Sequence, residues 1–284
     1  MSLPADTHVH SEWSWDTGGP LSDARGRLAA TVAHGERIGL PALFFTEHLD
    51  FDADWAIGEH DFPHLASLRG ADGIVAVPLI DVDGYLDDVA RARTAHPGIR
   101  VHTGVEFGQP HLHWRTAAER MPLDAFERIN GSLHTLEFEG RRYEPITLYR
   151  LLPAADVIRR YLEEIIVMAG SAAPFTTVTH LDYAARYWPT ADLGPFDVRH
   201  FEAELRAAMR AIARSGRALE LNTRRLWPWM ARWWWQEGGQ EVTFGSDAHV
   251  PVDLALGFPD AADLAEDAGF RPGPRAEDPW RRAA

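Results

Sequence analysis

At 284 residues and 45% hydrophobic, the chain has enough apolar material for a substantial core, and its length allows one large α/β domain or two ordinary ones. A formal charge of −14 argues against a nucleic-acid backbone as partner, which needs clustered Lys and Arg, and the absence of cysteine excludes disulfides and thiolate metal sites. No run approaches the roughly 18–20 apolar residues of a membrane helix, and no basic or apolar leader precedes Asp6, so a cytoplasmic protein that binds no membrane is expected.

Strand-like and helix-like segments alternate along the chain. A first short strand ends at Val9-His10, a helix is expected over about Asp23–Gly39, and Pro41–Thr46 reads as the second strand, with Glu47-His48 at its end. Residues 49–78 are polar and irregular, too long for an ordinary connection, and are a candidate active-site loop. A helix over Gly84–Ala95 leads to a strand at Ile99–Phe107, and a fourth strand is expected at Phe126–Ser132, just before His134. A charged hairpin-like stretch follows, then a helix opened by Pro153 and running to about Ala169. Phe175–Thr179 is the fifth strand, ending in His180; Asp197–Ser215 is helical; Ala218–Leu221 is the sixth strand, ending at Asn222. A Trp-rich helix precedes the seventh strand, Glu241–Gly245, and the tail from Gly269, rich in Pro, Gly and charge, is expected on the surface. Alternating β and α units predict a parallel sheet, and no Gly/Ser-rich linker divides the chain, so residues 1–284 read as one domain.

Potential metal ligands stand at the C-terminal ends of six of these strands: His8-x-His10, His48, Glu106, His134, His180 and Asp247-x-His249. In a parallel barrel that end gathers the active site. A period of two puts both imidazoles of His8-x-His10 on one face of an extended strand, within reach of one ion. Glu106 is a carboxylate that can bridge two cations, and Asp16 lies in a loop able to fold back over the site. A structural zinc needs only four closed ligands, so this excess of mixed nitrogen and oxygen donors points to catalysis with Zn, Mn or Fe.

Asp6-Thr7-His8-Val9-His10-Ser11, Thr46-Glu47-His48, Gly104-Val105-Glu106, Gly131-Ser132-Leu133-His134, Thr179-His180 and Gly245-Ser246-Asp247-Ala248-His249 together resemble the motifs of the PHP (polymerase and histidinol phosphatase) superfamily, over roughly Asp6 to Phe258. The resemblance implies a PHP-type α/β fold, a distorted seven-stranded (β/α)7 barrel, with three divalent metals. It assigns His8, His10, Glu106 and Asp247 to one ion, Asp16, His48 and His249 to a second, and Glu106, His134 and His180 to a third. Size and the Glu220-Leu221-Asn222-Thr223 stretch are similar to the histidinol phosphate phosphatases, although Arg224-Arg225 and the loop Glu12-Trp13-Ser14-Trp15 depart from them where substrate would sit.

The implied reaction is hydrolysis of a small phosphate monoester, L-histidinol phosphate first, by a hydroxide shared between metals, with Glu106, Asp247 and His249 at the reacting atoms. Arg186, Arg225 and Asn222 are the expected substrate contacts. Alternatives are another small ester (a nucleotide, sugar phosphate or cyclic phosphodiester) or a barrel that has lost catalysis.

Other features read more plainly. His111-x-His113 repeats the spacing of the leading pair but follows Gln109-Pro110, and is taken as surface or substrate loop. His102 reads as core, and His34, His60, His64, His96 and His200 as structural or solvated. The tryptophans of segment 227–235 read as packing against the barrel, and Arg141-Arg142 as a solvated turn.

Overall fold

The computed structural model describes residues 3–20, 26–58 and 60–283. Seven strands run parallel in chain order: β1 (Asp6–Val9), β2 (Ala42–Leu49), β3 (Arg100–Gly108), β4 (Arg128–Ser132), β5 (Thr177–Val178), β6 (Ala218–Asn222) and β7 (Glu241–Gly245). The sheet curls on itself. Beyond β7 the chain returns to β1, where the Asp247 N–H donates to the His8 carbonyl at 2.8 Å and the His10 N–H donates to Ala248 at 2.9 Å. The register aligns β2 with β3 over eight residues, from Ala42 opposite Arg100 to Leu49 opposite Phe107, and so sets His48 beside Glu106.

Two further strands join the sheet, β8 (Phe270–Arg271) and β9 (Trp280–Arg282), making nine in the sheet among the described residues. They correct the reading of the tail as mere surface. β9 pairs antiparallel with Glu241–Val242, and Trp280 packs edge-on against Phe244, 4.9 Å between centroids. β1 is short, so the start of β7 would otherwise be an open edge, and the tail covers it.

Helices cover the outside. Ala154–Gly170 follows Pro153 and buries Val157, Ile158, Tyr161, Leu162, Ile165 and Met168, a three-and-four spacing that makes one stripe, while Val167 on the other face stays exposed. It packs on Glu202–Ser215, which ends at Gly216 in the left-handed conformation, φ 76°. The helix expected from Asp23 runs over Leu28–Arg37, and its expected first residues lie outside the described ones. Helices at Pro110–Arg120 and Phe258–Ala268 were not expected as such.

Residues 49–78 are less irregular than their composition implies. Trp55–Ala56 pairs with Arg141–Tyr143, itself the second arm of a hairpin with Leu136–Phe138, and this small sheet stands beside the barrel mouth. Trp15, Trp55, Ile57, Leu65 and Val75 form a separate small core under it. Arg142 is buried here, not a solvated turn: its guanidinium donates to the Thr135 hydroxyl at 2.9 Å and carbonyl at 2.8 Å and lies 3.4 Å from Asp52. No helix among the described residues is long and apolar enough to cross a membrane.

Candidate metal centre

Glu106, buried near the end of β3, is the hub. Its Oε2 lies 3.2 Å from His8 Nε2, 3.3 Å from His10 Nε2 and 3.0 Å from His48 Nδ1. Its Oε1 lies 3.1 Å from His134 Nε2 and 2.6 Å from His180 Nε2, and accepts from the Ser132 hydroxyl at 2.5 Å. Imidazoles from the ends of β1, β2, β4 and β5 thus meet on one carboxylate, each oxygen facing its own group.

The remaining expected ligands close the other side. His249 Nε2 is 3.1 Å and His48 Nε2 3.8 Å from Asp16 Oδ2, and Asp247 Oδ1 is 3.7 Å from His10 Nε2. His180 and Asp247 both take positive φ, 22° and 54°, so backbone strain sits where the chain must turn its ligands inward. The structure therefore brings His8, His10, Asp16, His48, Glu106, His134, His180, Asp247 and His249 into one cluster. It also adds one donor the sequence reading missed: Asp50, grouped with His48 and His134. Asp50 stands two residues beyond His48, the same spacing as in His8-x-His10, and that was its available signal.

The donor set fits divalent metal ions. Buried Asp16 Oδ1 has no hydrogen-bond partner among the described residues, an arrangement that is costly unless a cation completes it. The outer partners fix the rings. His8 Nδ1 contacts Glu220 Oε1 at 2.7 Å, and His10 Nδ1 contacts the Ser14 hydroxyl at 3.0 Å, which itself donates to Glu47. Each Nδ1–H is thereby spent outward and each Nε2 lone pair faces the centre. Gly245 permits the first of these contacts, because a side chain there would collide with Glu220 and His8.

The charges oppose one another without an ion. Burial pushes the Glu106 carboxyl up, but His8, His134 and His48 around it hold it well below the usual range. Burial drives His10 well down, and the nearby His249 and His48 add to that. For His8 burial also pulls down, yet Glu220 and Glu106 hold it well above its ordinary value. Protons on some rings stand where a metal would supply the positive charge.

A cavity of about 410 Å³ opens above Glu106, His48, His134, His180, Asp247 and His249. Arg186 lines it, with Nη1 3.1 Å from Asp247 Oδ2 and Nε 3.3 Å from Asp182 Oδ2. Arg224 and Arg225 line it too. Arg225 lies 4.5 Å over the Trp227 ring and donates to the Ala185 carbonyl, while Trp227 donates to Asp182.

Asn222 corrects one expectation. It is not among the cavity-lining residues; its amide donates to Glu220 at 3.0 Å and its oxygen caps the Arg224 N–H, so it supports a ligand partner. The lining also includes Trp15, Trp55, Phe62, His64, Leu65, Glu144, Tyr183 and Tyr187, none of them assigned from sequence except Trp15 as a possible substrate neighbour. His64, read as structural or solvated, is exposed at the cavity mouth. Trp13 points elsewhere and donates to Asp88.

The histidines set aside stay apart from the metal cluster. His111 is a correction, since it is buried against Glu164 at 2.8 Å and is not a surface residue; His113 meets Asp52. His102 pairs with Glu127 at 3.0 Å and stacks on Phe44. Trp234 is fully buried and Trp233 nearly so, as packing requires, with Trp235 at the surface.

The PHP domain profile matches residues 6–224. Over 276 residues the chain is 24% identical to a probable histidinol-phosphatase of Clostridium acetobutylicum, covering 94% of each chain. Over 275 residues it is 26% identical to a histidinol-phosphatase of Lactococcus lactis, covering 93% of this chain and 91% of that one. Among solved structures, histidinol phosphate phosphatase from Lactococcus lactis, complexed with zinc, L-histidinol and phosphate, superposes with a TM-score of 0.73 at 22% identity over 95% of both chains, which shows a shared fold.

Proposed function

The chain belongs to the PHP domain family, and from that premise we propose that it is a metal-dependent phosphate monoester hydrolase that converts L-histidinol phosphate to L-histidinol and phosphate, a step of histidine biosynthesis. The observation that carries this reading is Glu106, with five imidazoles on its two oxygens at the floor of a cavity walled on one side by arginines. The histidinol phosphatases among its relatives support the substrate. Residues 1–284 act as one domain in this reading, supported by a single main core that runs from Val9 to Trp280.

Three ions are assigned: one to His8, His10, Glu106 and Asp247, one to Asp16, His48 and His249, and one to Glu106, His134 and His180. Divalent Zn, Mn or Fe bound there supplies acidified water and neutralises phosphoryl oxygens. The protein's own part is positional. Glu106 shares its oxygens between two sets and holds them close. Asp247 ties the metal cluster to Arg186, and the Asp182–Trp227 contact holds Arg186 and Arg225 at the cavity wall, where guanidinium forks can orient a phosphate dianion. Trp15, Trp55, Phe62 and Leu65 add apolar lining that excludes bulk water.

The test is phosphate release from L-histidinol phosphate by metal-reconstituted protein, beside a chelator-treated sample and Asp247→Asn. Turnover in the first and its loss in both others is expected. No turnover of any phosphate ester by metal-loaded protein would sink the proposal. Metal-dependent turnover confined to a generic aryl phosphate would keep the site and replace the substrate.

A further inference from the structure

Glu144 is a carboxylate that the metal site does not use. It follows the strand Arg141–Tyr143 and precedes the short helix Pro145–Leu148, where its side chain makes no capping hydrogen bond. It turns inward instead, only 4% exposed, and lines the cavity. Among the described residues its one side-chain hydrogen-bond partner is Tyr183, whose hydroxyl donates to Oε2 at 2.6 Å, with the Tyr187 hydroxyl 3.5 Å behind. Among the described residues no Arg or His lies within ion-pair distance of it, whereas every other acid on the cavity wall (Asp16, Glu106, Asp247) is engaged by imidazole or guanidinium.

A buried carboxylate with a single hydroxyl partner is expensive, and it gains most from a cation. Burial pushes its carboxyl up to about 7, against the lowering effects of Tyr183 and the nearby His134. The surroundings suit a cation as well. Tyr183, Tyr187, Phe62 and Trp55 line the same cavity, and aromatic rings attract ammonium and imidazolium groups. The guanidinium groups of Arg186, Arg224 and Arg225 also line the cavity, and they suit the anionic end of a substrate.

We propose that Glu144, oriented by Tyr183, is the recognition site for a protonated nitrogen on the alcohol portion of the ester, so that the cavity selects zwitterionic amino-alcohol phosphates over alkyl phosphates whose alcohol portion carries no charge. This rests on the phosphatase reading above and specifies its substrate class. Glu144 is a specificity residue in this arrangement and takes no part in bond cleavage.

The experiment compares wild type and Glu144→Gln, both metal-loaded, on three esters: L-histidinol phosphate, 3-phenylpropyl phosphate (no charge on its alcohol portion, with an equally poor leaving group) and p-nitrophenyl phosphate. The amide keeps the shape and removes the charge. The expected result is a fall in kcat/KM of roughly 30-fold or more for L-histidinol phosphate, carried by KM, with the other two esters unchanged. Calorimetric binding of L-histidinol should weaken in parallel, which reads the site without turnover. Equal loss on both alkyl esters with the aryl ester spared would make Glu144 a proton donor to the leaving oxygen and overturn the proposal. Equal loss on all three, or no change on any, would also overturn it. Should Glu144→Gln fail to fold, Tyr183→Phe is run on the same panel and must show the same selective, KM-borne loss, though smaller. Wild type that hydrolyses none of the esters refutes the phosphatase reading instead, and L-histidinol binding that still depends on Glu144 then separates the two.

Discussion

His8-x-His10 and His111-x-His113 have the same spacing and opposite fates. The first pair lies on and just beyond a strand, where residues two apart share a face, and both Nε2 atoms reach Glu106 Oε2 and lie 3.0 Å from each other. The second pair lies in the first turn of the helix Pro110–Arg120, where residues two apart point about 200° apart. His111 goes to Glu164 and His113 to Asp52, each on its own carboxylate. The lesson is that spacing carries metal-site meaning only once the element's period is known. One pair brings donors together at a shared point; the other ties its helix to the helix Ala154–Gly170 and to Asp52 beside the small sheet.

The sharpest way to break this comparison is to remove one histidine from each pair. His8→Ala should cost bound metal and reduce turnover by far more than the roughly 100-fold upper range for loss of an outer partner. His111→Ala should retain metal content and most turnover. Metal analysis and rates on the two purified variants decide it, and comparable metal loss in both would end the distinction.

A smaller effect is expected one layer out. Glu220→Gln leaves His8 Nδ1 without its carboxylate and should weaken metal binding by roughly 10–100-fold, read by chelator competition. Unchanged affinity would mean that strand geometry alone orients His8.

On the other pair the change should appear in stability. His113→Ala removes one of the groups satisfying buried Asp52, which keeps Gln109, Thr135 and Arg142, and should cost about 1–3 kcal/mol by denaturant unfolding with metal content intact. The smallest effect is in pH. Burial pushes Asp52 up, but the hydrogen bond from His113 and the Arg142 charge outweigh it and leave its carboxyl below the ordinary range. A depressed folded pKa stabilises fully above the unfolded value, about 4, and that stabilisation is lost as pH falls through the folded value. Asp52→Asn should therefore lower stability at neutral pH and flatten its decline below about pH 4. An unaltered acid limb would remove Asp52 from the account.

The sequence by itself determined the alternation of strands and helices and the placement of nearly every cluster donor at a strand's C-terminal end. Both are local: apolar runs, turn residues and a period of two suffice to place His8, His48 and Glu106 on their strands and His180 just beyond one. The tertiary structure decided which atoms meet. Only the parallel register sets His48 beside Glu106, and only closure between β1 and the turn after β7 brings Asp247 toward His10. Only the small sheet carries Glu144 into the cavity, and only the bare edge of β7 gives a polar, Pro-rich tail a strand to form. Asn222 shows the same limit from the other side, since position at a strand end did not reveal that Glu220 and the Arg224 N–H would occupy its amide. Patterns along a chain fix the face on which a residue stands within its own element; contacts between residues distant in sequence depend on register and packing, which no local pattern encodes.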